Sequence, residues 1–511
     1  MIKEMVPLDQ VLRQRAAVSP RKIFVKSGGK KFSFRHMDRL ADRFAAFLLD
    51  RGIRPGDRVA ILSHNCTYYI AAYFGILRAG AVVLPLNNLL THEEVEYILN
   101  DAGVRICLFD SDCSCTVDRL PKTASRSYFR LTEIDDAPQY GFTLPPTHEH
   151  TARDVSTILY TSGTTGSPKG ALLTHRNIIS NAQAAATAIH ISPKDRFVVF
   201  LPLFHSFTYT VCVIIPLLTG ARISLLPSVR PFSRVVKTLI MDRITLFVAI
   251  PTVYKILAEK NMPFFVKLLL HLRLCVSGAA PLPVKVIREF ESAFKVPLLE
   301  GYGLTEASPV VSINPDDRGK RRPGTVGLPL PGIEIKILDD AGNMLPPGAP
   351  GELLVKGPSV MSGYLNRPED TARTVRDGWL YTGDIAALDD AGYIRIIDRK
   401  KDLIIVDGLN VYPYEVEEVL YRHPAVKDCS MIGVPHEREE GKELGIMYIV
   451  ARDGQTASAR ELRDYLSQHV AHYKIPRRFI MIDELPRTAT GKILKKEIRK
   501  MYLEKETAHR H

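Results

Sequence analysis

Long uninterrupted apolar runs are missing from this sequence. The two longest candidates are broken, one by Pro216 within 207–219 and the other by Lys267, His271 and Arg273 within 262–276. Neither reads as a membrane span. The second has the composition of a surface-lying segment as well as that of a buried helix. The first ten residues, MIKEMVPLDQ, contain no apolar h-region, so no secretory signal is expected. Cysteine is scarce: seven residues, an odd number, of which only Cys113 and Cys115 lie close together. That spacing is not a usual zinc pattern, and reduced thiols in a cytoplasmic protein are expected. No RNA- or DNA-binding signature accompanies the basic surplus of 68 Lys+Arg over 56 Asp+Glu, which gives a net charge of +12. Because the basic residues are scattered, nucleic acid is set aside as a partner and small phosphorylated ligands are favoured. The same surplus permits peripheral contact with an acidic inner membrane face without demanding it. Oligomeric state leaves no mark on the sequence.

What is present is ordinary globular composition on a long chain. At 511 residues, 46% hydrophobic and 24% charged, two or more domains are expected. Helix and strand patterns alternate through the first third. Ser33 caps a helix with Met37, Leu40, Ala41, Phe44, Phe47 and Leu48 at helical spacing, and Gly52 ends it. RVAIL (58–62), an apolar helix near 68–78 and AVVLPL (81–86) follow, the rhythm of a layered α/β domain. From 321 the texture changes to short strands and Gly/Pro turns. The last hundred residues restart as strand and helix, after a charged link, DRKKD (398–402). The expected fold class is α/β: a large multi-layer N-terminal domain over 1–400, with a β-rich subdomain at about 321–400. A small mobile α+β domain follows over 401–511.

The stretch YTSGTTGSPKG (160–170) can expose backbone N–H groups and hydroxyls to phosphate oxygens. It is not a Walker A loop, which needs Gly-Lys followed at once by Ser or Thr on a strand-to-helix turn. Here Lys169 follows Pro168 and precedes Gly170, and ALL continues as strand, so the loop reads as the tip of a hairpin. Alone, such a loop is as compatible with a mobile surface turn as with a phosphate site.

Read together, YTSGTTGSPKG, EGYGLTEASP (300–309), YTGD (381–384), DRKKDLIIVDGLNVYPYEVE (398–417) and PRTATGKI (486–493) resemble the adenylate-forming enzymes. That superfamily includes acyl-CoA synthetases, peptide-synthetase adenylation domains and luciferases. The resemblance spans nearly the whole chain and implies attack of a carboxylate on the α-phosphate of ATP, then displacement of AMP by a thiol, usually that of CoA. It implies that Thr161, Ser162, Gly163, Thr164, Thr165, Gly166 and Lys169 hold the departing β- and γ-phosphates. Glu300, Tyr302 and Gly303 would belong to the ATP site, with the Tyr302 ring on adenine; Thr305 would meet the α-phosphate, and Glu306 would hold Mg²⁺. Asp384 and Arg399 would hold the ribose hydroxyls. Lys492 would reach the carboxylate and α-phosphate, where preorganised charge is worth roughly 10²–10³-fold in rate. Lys401 would be the hinge of the small domain, and Gly408 would line the CoA channel after rotation.

The acid is less sharply indicated. PLFHSF (202–207) has no Asp to hold a substrate ammonium, and only residues 493–511 follow Lys492, which leaves no room for a fused carrier domain. His205, Phe207 and Thr208 with Gly278, Ala279 and Ala280 form the candidate acyl pocket, the small residues leaving space beside an apolar wall, with His205 at its entrance or packed in the core. The pattern looks most like fatty acyl-CoA synthetases, for medium- or long-chain acids. Thr208 stands where many fatty-acid relatives have Gly. An aryl or other carboxylic acid:CoA ligase is the nearest alternative. Transfer to a carrier protein, a luciferase-like oxygenase and an acyl-nucleotide sensor without turnover remain as further readings.

Overall fold

The computed structural model describes residues 6–122, 126–136, 150–161, 168–259, 263–406, 409–436, 443–488 and 491–508, without the side chains of 264–265 and 505–508. Among these residues two large sheets stand back to back. One has seven strands, in the order 363–364, 169–174, 155–161, 82–86, 58–62, 106–109 and 127–130. The other has nine, running from 328–329 through 310–313, 298–303, 274–277, 246–249, 196–199, 222–225 and 23–27 to 30–33.

Strand alternation explains the layering. In Arg58–Leu62, Val59 and Ile61 join the large core between the sheets, with residues of the helices Phe34–Asp50, Thr67–Arg78 and His175–Ala188. Ala60 and Leu62 instead pack outward with Val95, Ile98 and Leu99 of His92–Asp101. The nine-stranded sheet repeats the pattern: Val248 faces inward, whereas Phe247 packs outward against Tyr254 and Phe290. Period-two side chains on strands covered on both faces give five layers. The Ser33 cap is present, its side chain accepting from the His36 N–H.

Past residue 321 the chain forms a third, mainly antiparallel sheet built on Glu334–Leu338, Gly351–Lys356, Trp379–Leu388 and Ile394–Arg399. The C-terminal unit carries an antiparallel pair, Ile404–Val406 with Leu409–Val411, and a three-stranded sheet of Val426–Pro435, Glu443–Ala451 and Arg478–Met481. Helices Pro413–Leu420 and Ala459–Ser467 contribute Val416, Leu420, Leu462 and Leu466 to its core. The architecture is the large α/β unit plus small α+β unit expected from the sequence.

Pro216 interrupts the apolar run 207–219 without ending the helix there; the chain stays helical through Ser206–Tyr209, a widened π segment Thr210–Ile214 and Ile215–Thr219. Widening the turn before a proline accommodates the carbonyl that its ring would otherwise strike. One sequence expectation fails locally: the 262–276 stretch is not one buried helix. It holds a five-residue helix, Phe264–Leu268, with Leu268 67% and Leu269 50% exposed, and then the buried strand Leu274–Ser277. Among the described residues no helix is long and apolar enough to cross a membrane.

Candidate active site

Strand register builds the first part of the site. Asp384 and Arg399 are direct cross-strand partners, and Arg399 Nε lies 3.2 Å from Asp384 Oδ1. The other carboxylate oxygen accepts from the Tyr302 hydroxyl, which arrives on Leu298–Gly303 from the nine-stranded sheet. Asp384 is only 3% exposed, and its backbone N–H is held by Thr382 Oγ1 at 3.1 Å. Burial and the neighbouring carboxylate push the Tyr302 phenol well above its ordinary range. Glu300, two residues earlier, points elsewhere: its buried carboxyl accepts from the Leu282 N–H at 2.9 Å, and burial raises it to about 8. Gly303 ends the strand.

A second cluster forms around the hairpin. Thr161 and Lys169 are its last register partners before the connecting segment; Ser162, Gly163, Thr164, Thr165 and Gly166 lie outside the described residues. Lys169 Nζ is 2.9 Å from Asp370 Oδ2 and sits over the Tyr364 ring at 5.7 Å. The Tyr364 hydroxyl donates to Glu306 Oε1 at 2.9 Å. One aromatic residue thus joins the lysine of the hairpin to the acidic residue of the 3₁₀ turn Thr305–Ala307. In that turn Thr305 Oγ1 lies 3.4 Å from Ser206 Oγ. Sequence reasoning assigned no role to Tyr364, Asp370 or Ser206. The first two lie in GELLVKGPSVMSGYLNRPEDT (351–371), a stretch that also resembles the adenylate-forming enzymes and so carries the signal that could have found them.

Lys492 comes from the far end of the chain. Its turn closes through Lys492 N–H to Thr488 Oγ1 at 3.1 Å and Thr488 N–H to the Lys492 carbonyl at 2.8 Å. Gly491, at φ +80°, lets that turn press on the large domain, since a Cβ there would lie 2.9 Å from Ile250 Cδ1. Desolvation, reinforced by the positive charges of Arg399 and Lys401, lowers the Lys492 ammonium to about 8, against the opposing pull of Asp384. The same ammonium helps burial lower His205 to about 4. His205 is therefore neutral near pH 7, and its Nδ1 accepts from the Phe207 N–H at 3.3 Å, which leaves the proton on Nε2. Lys401 lies exposed in the 3₁₀ turn Lys400–Asp402, and Gly408 is outside the described residues. Lys495 is not one more surface lysine of the last helix: it pairs with the buried Glu417 at 2.9 Å.

The acyl side departs from expectation. Gly278 does not leave open space, because the Phe207 ring occupies it: a Cβ on Gly278 would stand 2.9 Å from Phe207 Cζ. Ala279 adopts φ +70°, a strained conformation for a residue with a side chain, and leads into the partly exposed Ala280. Thr208 is 1% exposed, and its hydroxyl has no partner among the described residues.

Two groups of charged side chains are thus assembled from distant parts of the chain, Lys169 with Asp370 and Glu306 with Tyr364 in one, Asp384, Arg399 and Lys492 in the other. Residues 12–365 match the AMP-binding enzyme family, and residues 415–492 match the AMP-binding enzyme C-terminal domain. The chain belongs to the AMP-binding enzyme family. This AMP-binding enzyme is 35% identical to the long-chain-fatty-acid–CoA ligase of Bacillus subtilis (strain 168), over 99% of its own length and 95% of that protein's. It is also 35% identical to a feruloyl-CoA synthase of Amycolatopsis sp, over 96% and 98% of the two chains. Its fold overlays ATP-bound MatB from Rhodopseudomonas palustris with a TM-score of 0.90 at 32% identity, covering 97% of this chain and 98% of that one.

Proposed function

We propose that this AMP-binding enzyme, an adenylate-forming CoA ligase, activates a medium- or long-chain fatty acid. A carboxylate oxygen attacks the α-phosphorus of ATP, and the bond to pyrophosphate breaks with its electron pair leaving on pyrophosphate. The CoA thiolate then attacks the acyl carbon, and AMP leaves with the electron pair of the acyl–oxygen bond.

The observation that carries this reading is the meeting of Lys492 with Arg399 and Asp384. A lysine from the turn before the last helix lies near enough to the pair expected to hold ribose for both of their charges to act on it. There its ammonium meets the carboxylate and the α-phosphate as negative charge gathers on the transferring oxygens. Thr161 and Lys169, with the tip between them, receive the departing pyrophosphate, and Thr305 donates to the α-phosphate. Glu306 offers an oxygen-only donor suited to Mg²⁺, and Tyr364 orients it from the second carboxylate oxygen. A bound Mg²⁺ would supply charge neutralisation to the phosphates. Asp384 turns its remaining lone pairs to the ribose hydroxyls beside Arg399. Lys401 is the hinge: rotation there withdraws Lys492 and brings Gly408 to the channel for CoA. The exposed Leu268 and Leu269 beside Lys267 support peripheral contact with an anionic membrane face, where a fatty acid is available.

One observation favours a second reading. Phe207 filling the Gly278 position, beside the unpartnered Thr208 hydroxyl, suits a short, flat acid with a polar substituent, as in an aryl acid:CoA ligase. Pyrophosphate release with Mg·ATP on octanoate, palmitate, benzoate and coumarate, each with and without CoA, separates the two. CoA-stimulated turnover on a fatty acid is expected. Turnover confined to the aromatic acids replaces the first reading by the second. Release that CoA never accelerates points to another acceptor, and silence on every acid to a sensor.

A further inference from the structure

Away from the adenylation cleft, three residues from two loops bring different donor atoms together. His64 follows the strand Arg58–Leu62; Asp110 and Cys113 follow the strand Ile106–Phe109. His64 Nδ1 lies 3.1 Å from Asp110 Oδ2 and 3.9 Å from Cys113 Sγ, and one atom from each residue falls within 4.8 Å of the others.

Topology makes this spot special. The two strands are parallel neighbours, Leu62 opposite Phe109, so both loops leave the same edge of the sheet. From the first strand the chain passes to Thr67–Arg78 in the core between the sheets; from the second it passes to Ser114–Asp118, whose Val117 packs on the outer face. One connection leads to the neighbour on one side, 82–86, and the other to the neighbour on the opposite side, 127–130. Adjacent strands whose connections diverge in this way open a crevice at their carboxyl ends, where α/β sheets bind ligands.

We propose that His64, Asp110 and Cys113 form a transition-metal site at this switch point, with Zn²⁺ as its ion. Zinc bound at about 2.0–2.3 Å to N, O and S in a tetrahedron spaces its donors roughly 3.3–3.8 Å apart. The observed 3.1 and 3.9 Å need shifts of only a few tenths of an ångström on that scale. A thiolate and an imidazole exclude Mg²⁺ and Ca²⁺ as the preferred occupants, which separates this site from the oxygen donors of the adenylation cleft. The His64 side chain is 41% exposed, so water has access to a fourth position, while Cys113 is 4% exposed and held in place. Asp110 is already oriented by the His64 N–H at 2.6 Å and the Cys113 N–H at 2.9 Å.

The site has a mechanical consequence. Asn65, next to His64, donates to the carbonyls of Leu201 and Leu226 and accepts from the Leu203 N–H. A metal fixing the His64 loop therefore also fixes the turn that leads from the other sheet into His205. The role is that of a clamp between sheets, not of a catalytic centre.

The test uses the full chain, stripped by chelator dialysis and then titrated with Zn²⁺ against a chromogenic chelator, with Co²⁺ as a spectroscopic substitute. One equivalent of zinc, a thiolate-to-cobalt charge-transfer band and a Zn²⁺-dependent rise in melting temperature are expected. Cys113→Ser should abolish the band, and His64→Ala should weaken zinc binding about 10–100-fold or more, the scale on which even outer-shell changes act. Cys115→Ser, at the exposed thiol two positions on, should leave the band intact. Zinc uptake no greater than in the His64→Ala variant overturns the site. So does a band that survives Cys113→Ser, or one lost with Cys115→Ser. Because His64 is partly exposed, its variant reads out binding even where Cys113→Ser lowers stability.

Discussion

The proposed nucleotide side and the proposed acyl side of the site are built on opposite plans. On the nucleotide side three charged groups already have partners: Asp384 with Arg399 and Tyr302, Lys169 with Asp370, Glu306 with Tyr364. Strand register and paired hydrogen bonds leave these groups little freedom, as charge stabilisation in a transition state requires. The acyl side has a ring in the space left by a glycine, a buried hydroxyl without a partner among the described residues, and a strained alanine. Such packing can change with one rotamer. On the proposed function, chemistry is fixed on one side and selectivity is adjustable on the other.

The sharpest break in that comparison is Lys492→Ala. It should cost at least about 10²–10³-fold in acyl-AMP formation, read as pyrophosphate exchange, and spare thioester formation from supplied acyl-AMP. Equal loss in both half-reactions would refute the division of labour. Because desolvation lowers Lys492 to about 8, adenylation should also decline as pH rises past that value, a limb that Lys492→Arg moves upward.

Lys401→Pro should do the reverse, leaving adenylation near its original rate and slowing CoA transfer by roughly a hundredfold where domain rotation limits turnover. An unimpaired overall rate excludes the hinge. Tyr302→Phe removes one hydrogen bond to a carboxylate, worth about 1.5–3 kcal/mol, so kcat/KM for ATP should fall roughly 10–100-fold with acid preference unchanged. A shift in acid preference would mean that the two sides are coupled.

Phe207→Leu tests the acyl side. It vacates the Gly278 position and should shift preference toward longer or bulkier acids by about tenfold, the scale of one or two methylenes, with KM for ATP unchanged. No change in preference would remove Phe207 from the pocket. The smallest expected effect is on stability. Burial holds Glu300 at about 8 against an ordinary 4.5, so between those values the folded chain keeps a proton that the unfolded chain releases. Stability from this group is present at low pH and is lost as pH rises through that window. Glu300→Gln, which still accepts from the Leu282 N–H, should reduce the fall in melting temperature between pH 6 and pH 8 by about 2–4 °C. An unchanged fall would show that Glu300 ionises freely in the folded chain.

Part of this was legible before any fold was known. The Ser33 cap, the strand RVAIL and the antiparallel strands on either side of the glycine-rich stretch rest on local rules, and the structure follows them. Local reading failed where neighbours decide: 262–276 divides between an exposed short helix and a buried strand. Nothing in the spacing of Gly278 announces that a ring seventy residues away fills its place.

The sequence by itself determined the family, the layered α/β plan and the residue types of the nucleotide cleft, because backbone conformation, side-chain period and charge type are written within a few residues of each position. Only the tertiary structure decided which groups meet: Tyr364 between Lys169 and Glu306, Phe207 over Gly278, and His64 beside Asp110 and Cys113. Each of these contacts joins residues from separate strands or loops. Sheet order, crossover direction and register set their distances, and no local pattern contains them.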